Sequence, residues 1–151
     1  MYIDTHCHLT FPELQARWPD IQRDMAAAQV TRAIAICTTI EEFDTVHTFA
    51  MAHPQLWCTV GVHPDNEGIH EPDVAELVAL GRRDKVVAVG ECGLDYYRLG
   101  ERTVADMEWQ RERLRVHVRA ARVLAKPLVI HTRSSSADTL AVLREEGADA
   151  V

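Results

Sequence analysis

Short apolar, β-branched runs alternate along the 151-residue chain with longer segments whose apolar residues recur at helical spacing. The runs Tyr2 to Asp4, Ala33 to Cys37 (AIAIC), Trp57 to Gly61 (WCTVG), Val86 to Gly90 (VVAVG) and Leu128 to His131 (LVIH) predict strands. Helical spacing covers Pro19 to Gln29, Glu41 to Ala52, Asp73 to Arg82, Thr103 to Ala125 and Ser136 to Glu146. Pro19 opens the first of these, Asp73 behind Pro72 opens the third, and Gly147 follows the last, as helix punctuation does. The residues after Gly147, ADAV, read as the opening of a sixth strand.

Nearly continuous apolar strands between amphipathic helices predict a parallel sheet covered by helices. The strands begin at residues 2, 33, 57, 86 and 128. Each unit therefore takes roughly 30 residues, the repeat of a (β/α)8 barrel of about 250. The expected fold is α/β, of TIM-barrel type, with about five of the eight βα units present. Residues 1–151 then form the N-terminal portion of a single barrel domain, stopping before strand six. A complete five-stranded doubly wound sheet is the alternative.

The polar residues favour the barrel, because they fall at one end of the strands. The first strand runs into Asp4-Thr5-His6-Cys7-His8, the third into Gly61-Val62-His63-Pro64, the fourth into Gly90-Glu91-Cys92-Gly93-Leu94-Asp95 and the fifth into His131-Thr132-Arg133. Parallel α/β folds gather ligands and catalytic groups at the carboxyl ends of their strands. His6 and His8, two residues apart in extended chain, point to one side and converge on a common ligand. With Glu91 and His131 they make a candidate set of imidazoles and one carboxylate, suited to Zn, Mn, Fe or Ni and, through the carboxylate, to Mg.

Charge narrows the partners. The formal net charge of -7, from 16 Lys and Arg against 23 Asp and Glu, provides no overall basic field for nucleic acid or an anionic membrane, so any phosphate binding is local or metal-assisted. Cys7, Cys37, Cys58 and Cys92 are scattered without a CxxC pair, which reads as reduced thiols in a cytoplasmic protein. Neither a signal peptide nor a membrane span is legible, so no membrane partner is expected.

DTHCHL, GVHP, GECGLDYY and IHTR, in this order between residues 4 and 133, resemble the motifs of the TatD family of metal-dependent deoxyribonucleases, within the amidohydrolase-like barrels. The resemblance implies a (β/α)8 hydrolase with up to two divalent ions (Mg, Mn or Zn), cleaving phosphodiester bonds of DNA, or a small phosphate ester, with metal-activated water. Matched residue by residue, His6 and His8 hold one ion, Glu91 bridges or approaches both, and His131 holds the second. His63, Asp95 and Arg133 line the substrate pocket and, with Glu91, form the implied catalytic set. Two ions suit phosphodiester hydrolysis by stabilising the attacking and leaving oxygens, while Arg133 binds a phosphate bidentately. The resemblance also implies a further histidine after strand six and an aspartate after strand eight, both beyond Val151.

Three rivals remain at this level. A cyclic amidohydrolase, lactonase or phosphotriesterase-like barrel also opens with HxH, but bridges its metals with a modified lysine where this chain has Glu91; Lys85 and Lys126 precede their strands. A histidinol-phosphatase-like barrel is the second. A metal-binding chain without turnover is the third.

Other polar residues receive plainer readings. His47, His53, His70 and His117 lie off the strand ends and read as structural, and Cys7 and Cys92 as small packing residues. Asp4 either orients the imidazoles or caps the strand end. Arg111, Arg115, Arg119 and Arg122 make a stripe that reads as the solvated outside of a barrel helix rather than a phosphate contact. Arg98 and Arg102 are better placed for phosphate, and Tyr96 and Tyr97 either stack on a base or pack the loop.

Overall fold

A computed structural model describes residues 1–151, apart from the side chain of Ala150. Five strands, β1 (Tyr2–Cys7), β2 (Val30–Ala35), β3 (Leu56–Val60), β4 (Val86–Asp95) and β5 (Leu128–Arg133), pair in parallel in the order β1-β2-β3-β4-β5. Between them run α1 (Pro12–Gln15), α2 (Trp18–Ala27), α3 (Phe43–Ala52), α4 (Val74–Gly81) and α5 (Glu108–Leu124), with α6 (Ser136–Glu145) following β5. A doubly wound sheet reverses its strand order at a switch point. Here the order never reverses, so the chain forms five consecutive staves of a barrel wall.

Small strand residues make room for large helix residues. Ala33, Ala35, Cys58 and Val60 lie with Trp18, Phe43, Val46, Phe49 and Leu77 in one buried cluster, where Trp18 meets Phe49 edge to face at 5.2 Å. A second cluster joins Cys92 and Leu94 of β4 to Leu114 and Val118 of α5 and Val142 of α6. Ile3, Ile34, Trp57 and Val87, on the alternate strand positions, line a shallow hollow instead.

Several boundaries move. β4 continues for ten residues to Asp95 instead of stopping at Gly90, and β5 continues through Arg133, so the chemistry-bearing residues sit on strands. The helical period from Thr103 divides into a 3-10 turn at Val104–Met107, closed by a Thr103/Asp106 capping box, and α5 proper. Helix α1, with Pro12 in its first turn, was not legible in the periodicity.

The sixth strand expected at ADAV is not there. Gly147 takes φ 65° behind α6, and Ala148–Ala150 form a 3-10 turn. The Gly147 conformation turns the chain back, and Ala148 packs against the second cluster instead of pairing with β5.

Candidate metal centre

Register slips bring the strand-end residues together. Between Val89 and Cys92 β4 advances three residues while β5 advances two, from Leu128 to Ile130. The same three-to-two mismatch separates Asp4 and Cys7 of β1 from Ala33 and Ala35 of β2. Such bulges re-aim a side chain at a sheet's rim, and the residues inside these two are Gly90-Glu91 and Thr5-His6. Glycine permits the close approach. A Cβ on Gly61 would fall 2.6 Å from the Gly90 Cα, and one on Gly93, at φ 147°, would fall 1.8 Å from the His131 carbonyl oxygen. The glycines of GVHP and GECGLDYY thus let β3, β4 and β5 close around the site.

Glu91 is the hub, buried to 8 % exposure. Its Oε2 lies 3.1 Å from His6 Nε2, while its Oε1 lies 3.4 Å from His131 Nδ1 and 3.7 Å from His63 Nε2. Two clusters result, His6–His8–Glu91 and His63–Glu91–His131, each with ligand atoms within 4.8 Å of one another. They share the one carboxylate, with a different oxygen turned to each.

His8 stacks on Phe11 with ring centroids 5.2 Å apart, and its buried Nδ1 has no hydrogen-bond partner. An unpaired buried imidazole nitrogen is costly unless something ligates it. Burial, reinforced by the neighbouring His6, lowers the His8 pKa against the opposing pull of Glu91 and Glu42, so the ring stays neutral and able to ligate. This donor set, neutral imidazoles around a buried carboxylate, fits a divalent cation.

Beyond Glu91 runs a row of four groups. His63 Nδ1 contacts Asp65 Oδ1, His63 Nε2 lies 3.0 Å from His131 Nδ1, and His131 Nε2 lies 3.0 Å from Asp95 Oδ2. Burial pushes the Asp95 carboxyl up, but hydrogen bonds from the Tyr97 amide and His131, with the charges of His131 and Arg133, hold it below its ordinary value.

A family pattern described as TatD related DNase matches residues 3–151. This chain belongs to the TatD family. It is 36 % identical over 148 residues to YcfH of Escherichia coli K12, named an uncharacterized metal-dependent hydrolase, covering 95 % of this chain and 54 % of YcfH. It is 35 % identical over 152 residues to the similarly named TatD of Mycobacterium tuberculosis H37Rv, covering 97 % of this chain and 57 % of the relative. The crystal structure of YjjV, a TatD homologue from Escherichia coli K12, superposes with a TM-score of 0.83 at 28 % identity, covering 96 % of this chain and 56 % of that one. The chain thus spans about half the length of these relatives, and its five staves follow the YjjV structure.

Helix α5 supplies parts of the candidate site that the motifs do not include. Gln110, Arg113 and His117 are each at most 3 % exposed. Gln110 Nε2 donates to the Pro64 carbonyl at 2.8 Å and its Oε1 accepts from the Asp95 amide at 2.9 Å. Arg113 donates to the His63 carbonyl at 2.9 Å and grips Glu71 with both ends of its guanidinium. His117 Nδ1 faces the Arg113 carbonyl at 2.8 Å, so it carries the proton and leaves Nε2 to accept from the Val62 amide at 3.0 Å. Three side chains on one helix therefore hold residues 62–64 and the end of β4. His117 is structural, as the sequence suggests, but what it supports is the site.

The remaining candidates divide. Asp4 Oδ1 accepts from the His6 amide at 3.0 Å, the cap rather than the imidazole partner. Tyr96 packs, its hydroxyl donating to Asp138 at 2.9 Å, whereas Tyr97 is exposed with the Arg133 guanidinium 3.6 Å from its ring centroid. The arginine stripe is not simply solvated. Arg111 reaches Glu108 and Asp138, Arg115 reaches Glu108 and Glu145, Arg119 reaches Glu146, and Arg122 donates to the Glu146 carbonyl, tying α5 to α6. Cys7 and Cys92 donate to the Ile34 and Val129 carbonyls and pack between strands. Among the described residues, no helix is long and apolar enough to cross a membrane.

Proposed function

We propose that this chain belongs to a divalent-metal-dependent hydrolase that cleaves phosphodiester bonds of DNA. The single observation that carries this reading is the pair of clusters of possible metal ligands that share the Glu91 carboxylate. The relatives' designation as metal-dependent hydrolases and the family's description as DNase support it. In this proposal His6, His8, Glu91 and His131 hold up to two ions, Mg, Mn or Zn. A divalent ion there supplies Lewis acidity toward a phosphoryl oxygen and lowers the pKa of a water it binds.

The protein's own groups do the rest. Asp95 fixes the His131 ring through Nε2, leaving Nδ1 turned to Glu91. Arg133, with no carboxylate within 4.0 Å among the described residues, neutralises phosphate charge. His63, whose Nε2 lies 3.0 Å from His131 Nδ1 and 3.7 Å from Glu91 Oε1, is the group placed to carry a proton to a departing oxygen. The four cysteines, all free, with the Cys7, Cys37 and Cys58 thiols pushed up to about 11 to 12 chiefly by burial and Cys92 pushed higher still, suit the reducing cytoplasm we assign to the protein.

The test is cleavage of a fluorescently labelled single-stranded oligonucleotide with Mg or Mn. Cleavage that stops with EDTA and with His131→Ala is the expected result. Cleavage that survives either treatment contradicts the proposal.

A further inference from the structure

Two hollows lie beside the centre, one lined by Glu91 itself and the other by Asp95, which contacts His131, and they differ in their cationic residues. One, about 260 Å³, is lined by His8, Phe11, Asn66 and Glu91 among others, with no arginine or lysine. The other, about 330 Å³, is lined by Arg98, Arg102 and Arg133, with Trp109 and Met107 at its side. Each is close to the smaller ligand pockets in volume. Asp65 lines both, so they meet at the His63 side of the centre.

The second cleft also contains carboxylates, but each is engaged. Glu67 pairs with Arg102 at 2.8 Å, Asp95 holds His131 at 3.0 Å, and Asp65 contacts His63. Arg98 and Arg133 have no carboxylate within 4.0 Å among the described residues. In a chain of net charge -7, two guanidinium groups without a carboxylate partner, Arg98 and the Arg133 stacked on Tyr97, make a local anion site on one concave surface. Trp109, half-buried with the Arg113 guanidinium 4.9 Å from its ring centroid, adds a flat apolar wall. An anion beside a flat apolar wall is the chemistry of a nucleotide.

We infer that the arginine cleft is a subsite for the nucleotide next to the bond that is cut, and that it recognises that nucleotide's second phosphate. The opposite flank of the substrate lies on the Phe11 side, which has no arginine or lysine. The inference rests on the phosphodiesterase reading and deepens it. The enzyme then prefers a strand bearing a phosphate one nucleotide away from the scissile one over a diester lacking it.

Equilibrium binding in EDTA, where metal-dependent hydrolysis cannot intervene, separates the two readings. The probes are thymidine dinucleotides carrying a 5′-phosphate, a 3′-phosphate or neither, with inorganic phosphate as a fourth. One phosphorylated dinucleotide is expected to bind about tenfold or more tightly than the unphosphorylated one and than inorganic phosphate. Arg98→Ala, and Arg98→Ala with Arg102→Ala, are expected to remove most of that advantage while leaving the far-ultraviolet circular dichroism and Mn2+ affinity unchanged. Equal binding of the dinucleotides, no binding of any, an advantage that survives both variants, or inorganic phosphate binding as tightly would each overturn the subsite. A separate Mn2+ titration reports on the metal centre. If Mn2+ fails to bind while the dinucleotide advantage holds, the metal reading falls and the subsite stands.

Discussion

His117→Gln tests the α5 clamp through its pH dependence. Burial, with the Arg113 charge adding to it, lowers the His117 pKa from 6.5 to about 4, against the hydrogen bond to the Arg113 carbonyl and the charge of Glu71. The native state thus keeps the ring neutral where the unfolded chain has already taken up a proton. A depressed folded pKa contributes stability that is fully present above pH 6.5 and lost as pH falls toward 4. At about 1.4 kcal/mol per unit, the loss over that window is about 3 kcal/mol. Glutamine removes the titration and retains an acceptor for the Val62 amide and a donor for the Arg113 carbonyl. It is expected to cost about 1 kcal/mol near pH 7.5, from poorer hydrogen-bond geometry. The stability curves should then cross on acidification, with the variant about 2 kcal/mol the more stable near pH 4. Urea unfolding of both proteins across this range is the assay. A difference between them that stays constant with pH would refute the buried neutral histidine.

Three further outcomes follow from the geometry. Gly93→Ala, whose Cβ would fall 1.8 Å from the His131 carbonyl, should cost more than about 2 kcal/mol of stability and weaken metal uptake, as read by thermal melting and Mn2+ titration. Tyr96→Phe removes a hydroxyl that donates to Asp138 and accepts from Arg111, and should cost about 1 kcal/mol in denaturant unfolding without changing metal affinity. Arg119→Ala breaks the pair with Glu146, but the arginine side chain is 44 % exposed, so the expected loss is no more than about 1 kcal/mol and shrinks with added salt.

The strand ends were legible because the βα period and the clustering of His and carboxylate residues at one end point the same way. His6, His8, Glu91 and His131 do come together, and the glycines of two motifs show why those positions carry no side chain. The bulges were not legible. Periodicity at β4 runs out at Gly90, and nothing in the letters says that the ladder resumes at Cys92 with one extra residue in it. ADAV misled because a four-residue segment with three apolar residues does not distinguish a strand from a turn packed on a helix. The α5 clamp left a signal that an apolar-only reading passes over. Gln110, Arg113 and His117 recur at spacings of three and four, in phase with Leu114, Val118 and Ala121, so they are polar residues on a buried face. A buried polar residue needs a partner, and here the partners are the backbone around His63 and Asp95.

The most direct measurement is Mn2+ binding by calorimetry on the wild-type chain and on Glu91→Gln. Glu91 is the one residue common to both clusters. The account predicts that the wild type binds the ion and that the variant loses at least about tenfold in affinity, since removing a ligand should weaken binding no less than removing a residue behind it. A wild-type chain that takes up no divalent ion, or a variant that binds as tightly as the wild type, would contradict it.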